Sequence, residues 1–330
     1  MSFRVTSFRN EHIQDAAKLF ADTYRVQRDQ MPSLPQRHEQ IDVIAPLLQR
    51  LVASVPGVAA TRDGKLVGYI LGMLLESFRG QRSVYSPEWA NALDSGERGV
   101  VFQQMYAEIA RRWVANGCLK HLFTVLAQDS TVLTALHWHG FGLMGVDAVR
   151  DVTPVESGNI EVMLRRADAS DVASAVELSE ALARYSAESP IFLAFAKRLG
   201  EAHHRDWLSK PDHALWLAFK KQSAVACIGF EPSNPEAAYV ISDPATISIT
   251  RAFTIESERA DGIGTALLHR GLEWAREAGF ERCAVDFEPQ NILGTRFWLR
   301  HFQPVCLSLE RQIDPRITWA HESRKEEDIW

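Results

Sequence analysis

The stretch ERADGIGTALL, Glu258 to Leu268, decides how this chain is read. Gly262 and Gly264 sit just ahead of a run with helical apolar spacing, so the stretch is a loop that opens a helix. TISITRAFTI (Thr246 to Ile255) precedes it and reads as a strand. Strand, glycine loop and helix, in that order, form the setting that a phosphate-binding loop requires. The first N–H groups of a helix lack intrahelical partners, and the helix dipole adds partial positive charge there. Glycines let an anion approach the backbone without a Cβ in the way. Arg259 adds a cation at the loop entrance. A nucleotide P-loop is excluded because Thr265-Ala266, not Lys-Ser/Thr, follows Gly264. A Rossmann loop is excluded because Leu267 takes the place of its third glycine and the strands before it read as an antiparallel meander.

Working outward, the chain repeats itself. SFRVTSFRNEHIQDAAKLFADTY near the start and EVMLRRADASDVASAVELSEALARY from Glu161 each read as a strand, a turn and an amphipathic helix. A hairpin follows in each half, turning at Asp63-Gly64 and at Lys220-Lys221-Gln222. Each half then has a helix closed by a glycine (Gly117, Gly279), a strand and a last helix. Trp113 and Trp274 lie 161 residues apart; Gly117 and Gly279, and Asp129 and Asn291, lie 162 apart. A near-constant offset over several elements marks an internal duplication. At the 161 offset, Val101 and Gln103 take the places of Gly262 and Gly264. The first copy keeps its helix with no glycine at either of these two positions, so Gly262 and Gly264 are read as serving a ligand more than the fold.

The pattern R-x-x-G-x-G, Arg259 to Gly264, resembles motif A of the GCN5-related N-acetyltransferases (GNAT), and N-x-x-G-x-x-F-W, Asn291 to Trp298, resembles their motif B. Element order agrees with that family over residues 161–311, and over 3–150 in degenerate form, with Gly140-Phe141 kept at the end of motif B. The resemblance implies an α/β (α+β) chain of two tandem acyl-CoA N-acyltransferase domains. Each would be a mixed, mostly antiparallel central sheet flanked by helices, an arrangement like that of mycothiol synthase but without a residue pattern for its specificity. The expected division is a degenerate domain over 1–150 unable to bind CoA, a linker over 151–160, an active domain over 161–313 and a charged tail over 314–330.

The same resemblance implies acetyl-CoA as co-substrate. Arg259, Ala260, Asp261, Gly262, Ile263, Gly264 and Thr265 would lie at its pyrophosphate, Phe253, Thr254 and Ile255 along its pantetheine, and Asn291 facing the arm. Trp298 stands where the family often has the tyrosine that protonates the departing thiolate. Indole is a poor proton donor, so another group or water must serve. A second departure is RHFQPV, where the closing Gly-Phe is reduced to Phe302. The expected activity is N-acetylation of a primary amine by direct attack in the second domain. The alternative is a non-catalytic acyl-CoA-binding or regulatory protein.

Candidate bases are Glu256, Asp286 and Glu288, at the ends of the strands that flank the cofactor. In CAVDFE, Asp286 and Glu288 share one face and Val285 and Phe287 the other. These acids form either a working pair or an ordinary solvated strand end. Arg251 falls on the apolar face of its strand, and either pairs with a buried acid or holds a substrate carboxylate. His203-His204 reads as surface.

With 330 residues, 46% hydrophobic and 24% charged, the composition is that of a globular protein of about two domains. A net charge of −6 argues against a general nucleic-acid surface. No apolar run approaches the ~20 residues of a membrane span, and the N-terminal stretch has no signal-like apolar core. Cys118, Cys227, Cys283 and Cys306 have no C-x-x-C spacing and read as buried free thiols in a reducing compartment, so the expected location is cytoplasmic. His137 and His139 are two residues apart, which does not put both on one helix face, and no metal site is expected. The expected partner is a small-molecule amine, with no nucleic acid and no membrane, in a monomer or homodimer.

Overall fold

The computed structural model describes residues 3–53, 56–194, 199–232 and 237–317. Trp319, Trp330 and most of the charged tail lie outside them. The first half runs β1 (Arg4–Ser7), α1 (Ile13–Gln30), α2 (Ile41–Val52), β2 (Val58–Arg62), β3 (Lys65–Ile70), β4 (Met73–Phe78), β5 (Gln81–Ser86), β6 (Asn91–Leu93), α3 (Gly99–Ala115), β7 (Lys120–Leu126), α4 (Ser130–Trp138) and β8 (Gly142–Asp151). The second runs β9 (Met163–Arg166), α5 (Val172–Ala187), α6 (Glu201–Ser209), β10 (Ala214–Lys220), β11 (Ser223–Pro232), β12 (Thr246–Thr254), α7 (Ile263–Glu277), β13 (Arg282–Phe287), α8 (Ile292–His301) and β14 (Gln303–Gln312). This is the mixed α/β repeat, with helices flanking mixed sheets.

Local chemistry sets the shared landmarks. Asp63 and Gly64 both have positive φ (49° and 80°), as a two-residue hairpin turn needs, and Lys221 does the same for the second hairpin. Gly117 and Gly279 are both left-handed, and the next residue in each case donates its N–H back into the helix, Cys118 to Trp113 O and Phe280 to Ala275 O. These caps pair Trp113 with Ala275, one residue off the Trp113–Trp274 match read from the sequence. Asp129 and Asn291 cap α4 and α8 in the same way, accepting at 3.0 Å from Val132 N and Gly294 N. With 162 as the offset, the counterparts of Gly262 and Gly264 are Val100 and Phe102, each one residue before the matches read from the sequence.

Two compact units emerge, one of Met1–Gly145, Ala238–Val240 and Val305–Trp330, the other of Val146–Ala237 and Ile241–Pro304. In the first, β14 pairs antiparallel with β7. In the second, β8 pairs antiparallel with β13. Each copy therefore gives its last strand to the other copy's sheet. Reading each half as ending in a helix missed these strands, and it missed α2 and α6. The second unit's sheet runs β8-β13-β12-β11-β10-β9, with only β12–β13 parallel.

One face of the β10–β12 region carries Leu215, Leu217 and Cys227, packed with Ala175 and Leu178 of α5 and Trp207 of α6. The other face meets α7, where Gly271 leaves room for the Phe230 ring; a Cβ there would lie 2.1 Å from it. All four cysteines are buried free thiols. Burial pushes the Cys227 thiol up to about 11 and raises Cys283 as well, which makes them poor nucleophiles.

Candidate functional site

The sheet of the second unit opens in its middle. β12 pairs with β13 only from Thr246 to Ile249, opposite Arg282 to Val285, while its other edge stays on β11 as far as Thr254. Gly229 faces Arg251 and Phe230 faces Ile249, so Thr250 is the extra residue of a β-bulge. A bulge bends its strand, and here the bend coincides with the departure from β13. Exposure changes at the same point: Thr246 to Ile249 are buried and Thr250 to Ile255 are all half-buried. Beyond the bulge, β12 has lost β13 on one edge; there the Thr254 carbonyl accepts from Arg259 Nε, while Ile255 N–H stays bonded to Val225 O of β11. The Thr250 hydroxyl is buried without a hydrogen-bond partner among the described residues.

The glycine loop lies at the far end of β12. Ala260 (φ 71°) and Gly262 (φ 79°) are left-handed, and Gly262 is the N-cap of α7 with no side-chain cap. Left-handed residues alternating with ordinary ones turn successive N–H groups inward and make an anion-binding concavity. A left-handed alanine costs roughly 1–2 kcal/mol, the kind of strain found at ligand loops. The two glycines differ in role. Gly262 is needed for its conformation, since a Cβ would have 3.6 Å of clearance from Ile160. A Cβ on Gly264 would lie 3.4 Å from the Phe297 ring, so this glycine also serves the packing of α7 on α8. The Ile263 side chain is buried, and it faces the site only through its N–H; Asp261 is exposed and Thr265 half-buried. Arg259 donates Nε–H to Thr254 O at 3.0 Å, and its guanidinium lies over the rings of Tyr185 (4.5 Å) and Phe253 (5.7 Å).

Tyr185, near the end of α5, has no motif around it and was missed in the sequence. Its hydroxyl donates to Asn291 Oδ1 at 3.1 Å, the oxygen that also caps α8. A phenol thus reaches from Phe253 and Arg259 on the β12 side to Asn291 beyond β13. Gly294 allows Asn291 to fold over the helix start, where a Cβ would come within 2.6 Å of its Nδ2. Trp298 is 7% exposed and packs edge-on to Phe297 and Phe302.

Among the candidate bases, Asp286 is exposed between buried Val285 and Phe287, as the alternation predicts. Glu288 lies past the end of β13, half-buried, and its carbonyl accepts Asn291 N–H. Glu256 is exposed in a short turn beyond β12, and its neighbour Glu258 is ion-paired with Lys220 at 2.7 Å. The strand register brings a different acid to Asp286: Asp147 of β8 stands directly opposite and is 6% exposed. Directly opposed residues share a face, with Cβ atoms about 4.5–5.5 Å apart. Only the pairing of β8 with β13 reveals Asp147.

Residues 181–302 match the Acetyltransferase (GNAT) family. No curated protein matches the sequence. Among solved structures, the chain is similar to a GCN5-related N-acetyltransferase from Sphaerobacter thermophilus, at 14% identity and a TM-score of 0.58, over 95% of this chain and 96% of that one. It is also similar to a GCN5-related glucosamine N-acetyltransferase region of a fungal multi-domain GH3 beta-N-acetylglucosaminidase, at 13% identity and a TM-score of 0.51, over 94% of this chain and 38% of that one. Among the described residues no helix is long and apolar enough to cross a membrane.

Proposed function

With residues 181–302 belonging to the acetyltransferase (GNAT) family, we propose that this chain transfers an acetyl group from acetyl-CoA to a primary amine. The chemistry is direct attack in a ternary complex, in the second unit, where β12 leaves β13. Acyl-CoA-dependent N-acetyl transfer is the general activity that the fold supports. Acetyl-CoA, when bound, supplies an activated thioester and a thiol leaving group. The loop fits such a group: a left-handed Gly262 that no side chain caps, preceded by a left-handed Ala260 and by Arg259, suits a pyrophosphate. The observation that carries the reading is the opening of β12 from β13 at the Thr250 bulge, beside that loop.

Each residue then has a task. The N–H groups of Gly262 to Thr265 and the Arg259 guanidinium hold the pyrophosphate. The edge of β12 that β13 leaves, at Phe253 to Ile255, lies along the pantetheine arm. The bulge N–H groups and the unpartnered Thr250 hydroxyl donate to the acyl oxygen as negative charge grows on it. Asp286, with Asp147 opposite, attracts the ammonium form of the acceptor and takes its proton. Tyr185, held by Asn291, gives a proton to the departing sulfur, the task that Trp298 cannot perform.

The buried Trp298 favours one competing reading, a non-catalytic acyl-CoA-binding protein. Titration with acetyl-CoA, with thiol release followed over a panel of amines, separates the two. The expected result is saturable, amine-dependent release. Binding without release from any amine selects the competing reading, and absence of binding contradicts both.

A further inference from the structure

On the face of β12 turned toward α5 and α6, next to the bulge, lies a cation that forms no ion pair among the described residues. The Arg251 guanidinium is 4.4 Å above the Trp207 ring and 3.3 Å from His204 Nδ1. Among the described residues it makes no other hydrogen bond and no ion pair. The sequence left open whether a buried acid meets it. Glu231, whose charge favours the guanidinium from a distance, makes its own contacts elsewhere: Oε2 accepts from Trp207 Nε1 at 2.7 Å and lies 3.3 Å from His213 Nε2. His204, read as surface in the sequence, is 1% exposed and is held in the neutral direction by burial, by the Arg251 charge and by His203, against a backbone bond at Leu199. It adds no negative charge.

The chain is built to keep the arginine there. Gly229 stands opposite Arg251 in the register, and a Cβ at 229 would lie 2.6 Å from Arg251 Cγ and 3.0 Å from Cδ. The missing side chain makes the groove in which the arginine stem lies. Burial of the guanidinium pulls its pKa down, with Cys227 and Glu231 opposing only weakly enough to leave it lowered. A half-buried cation held against an indole is commonly paired as well, because partial desolvation is only partly returned by stacking. A guanidinium has five N–H donors, and here one is in use.

Position gives the cation a purpose. The helix that the donor loop opens, α7, packs on the opposite face of β10–β12, with the loop's Arg259 reaching across to Tyr185 of α5. An attacking amine must reach the thioester from the side the donor does not fill, which is the α5–α6 face. Arg251 lies on that face, one residue past the bulge where the strands open. Resting on the acetyl-transfer reading above, we propose that the acceptor amine carries a carboxylate, and that Arg251, stacked on Trp207, binds it through its planar fork and orients the amine toward the opening.

The test compares amines that differ only at the anionic group: L-amino acids, β-alanine and 4-aminobutyrate, each beside its carboxamide. Calorimetry in the presence of CoA reads binding, and thiol release reads turnover. The expected result is at least tenfold tighter binding and higher kcat/KM for carboxylates. In Arg251→Met both preferences collapse to within about twofold, and acetyl-CoA affinity is unchanged. Arg251→Lys keeps part of the preference. The melting temperature of Arg251→Met should hold or rise, since a partly desolvated charge with no ion pair is replaced by an apolar chain of similar length; a marked fall would make the arginine a structural strut and overturn the proposal. Equal binding of carboxylates and carboxamides by the wild type also overturns it. If carboxylates bind the wild type but not Arg251→Met, and no amine is acetylated, the anion site stands and the transferase reading falls.

Discussion

In the first copy, β5 runs parallel to β7 from Ser83 to Ser86, and the chain then turns through Glu88–Ala90 into β6, which pairs with β3. In the second copy, β12 crosses the same ground in one piece and opens away from β13. The first junction is filled. Asn91 Nδ2 donates to Ser86 Oγ, Pro87 O and Thr124 O, tying β6 to β7, and Trp89 is buried above it with its carbonyl bound by Tyr69 OH. Thr124 is the counterpart of Asp286. It faces Ser308 of β14 as Asp286 faces Asp147 of β8, but with hydroxyls 2.8 Å apart where the second copy has two carboxylates. The helix starts differ too. Measured from their common C-caps, α3 begins two residues earlier than α7, from an extended Arg98, where the second copy unwinds into the left-handed Gly262. One framework thus carries a sealed, neutral junction and an open, acidic one, and the difference lies in a few side chains and half a helical turn.

Substitutions that make one copy resemble the other break or sharpen this contrast. The largest effect is expected at the loop. Gly262→Val, which forces a β-branched residue to a φ of 79°, lowers acetyl-CoA affinity at least 100-fold by calorimetry, whereas Val100→Gly creates no second site. At the carboxylate pair, Asp286→Asn should reduce kcat roughly 10²- to 10⁴-fold, the usual range for a lost general base, while Thr124→Val in the first copy changes kcat less than about twofold. Tyr185→Phe lowers kcat about tenfold to a hundredfold and leaves the acetyl-CoA dissociation constant nearly unchanged; equal losses in both would mean that the phenol only shapes the loop.

The sealed junction has a signature in stability alone. Burial raises the Glu88 carboxyl from its ordinary value to about 7, against hydrogen bonds from its own backbone and from Val240 and Tyr239. A raised pKa in the folded chain means that the native state holds the proton where the unfolded state has lost it. Stability therefore falls as pH climbs from about 4.5 to about 7, by up to about 3 kcal/mol, and levels off above. Glu88→Gln should flatten that slope in urea melts between pH 5 and pH 8. Smallest, Asn91→Ala should cost about 1–3 kcal/mol of stability, from unsatisfied buried groups, with no effect on acetyl-CoA affinity.

Local signals were legible in the sequence. The hairpin at Asp63-Gly64, the C-caps at Gly117 and Gly279, the glycine loop and the alternation around Asp286 each depend on a few adjacent residues, and the structure has all of them. What could not be read depends on distant pairing. The exchange of β8 and β14 has no periodic signature, so Asp147 looked like any strand acid until register set it against Asp286. Tyr185 reaches the loop only through the packing of α5, and His204 is buried only because α6, which local pattern did not mark, lies over the sheet. The offset of the repeat slipped by one residue at Trp113 because a tryptophan in each helix suggested a match that the caps do not support.

Stoichiometry tests the contrast most directly. The first copy keeps a groove of about 330 Å³ between α3 and α4, lined by Gly99, Gln103, Thr131, Thr134 and the 80% exposed Trp138, with no lysine or arginine in its lining. Titration of the full chain with acetyl-CoA by isothermal calorimetry should give one site per chain, lost in Gly262→Val. Two sites, or one that survives in Gly262→Val, would contradict the assignment of the open junction and its glycine loop to the acyl donor.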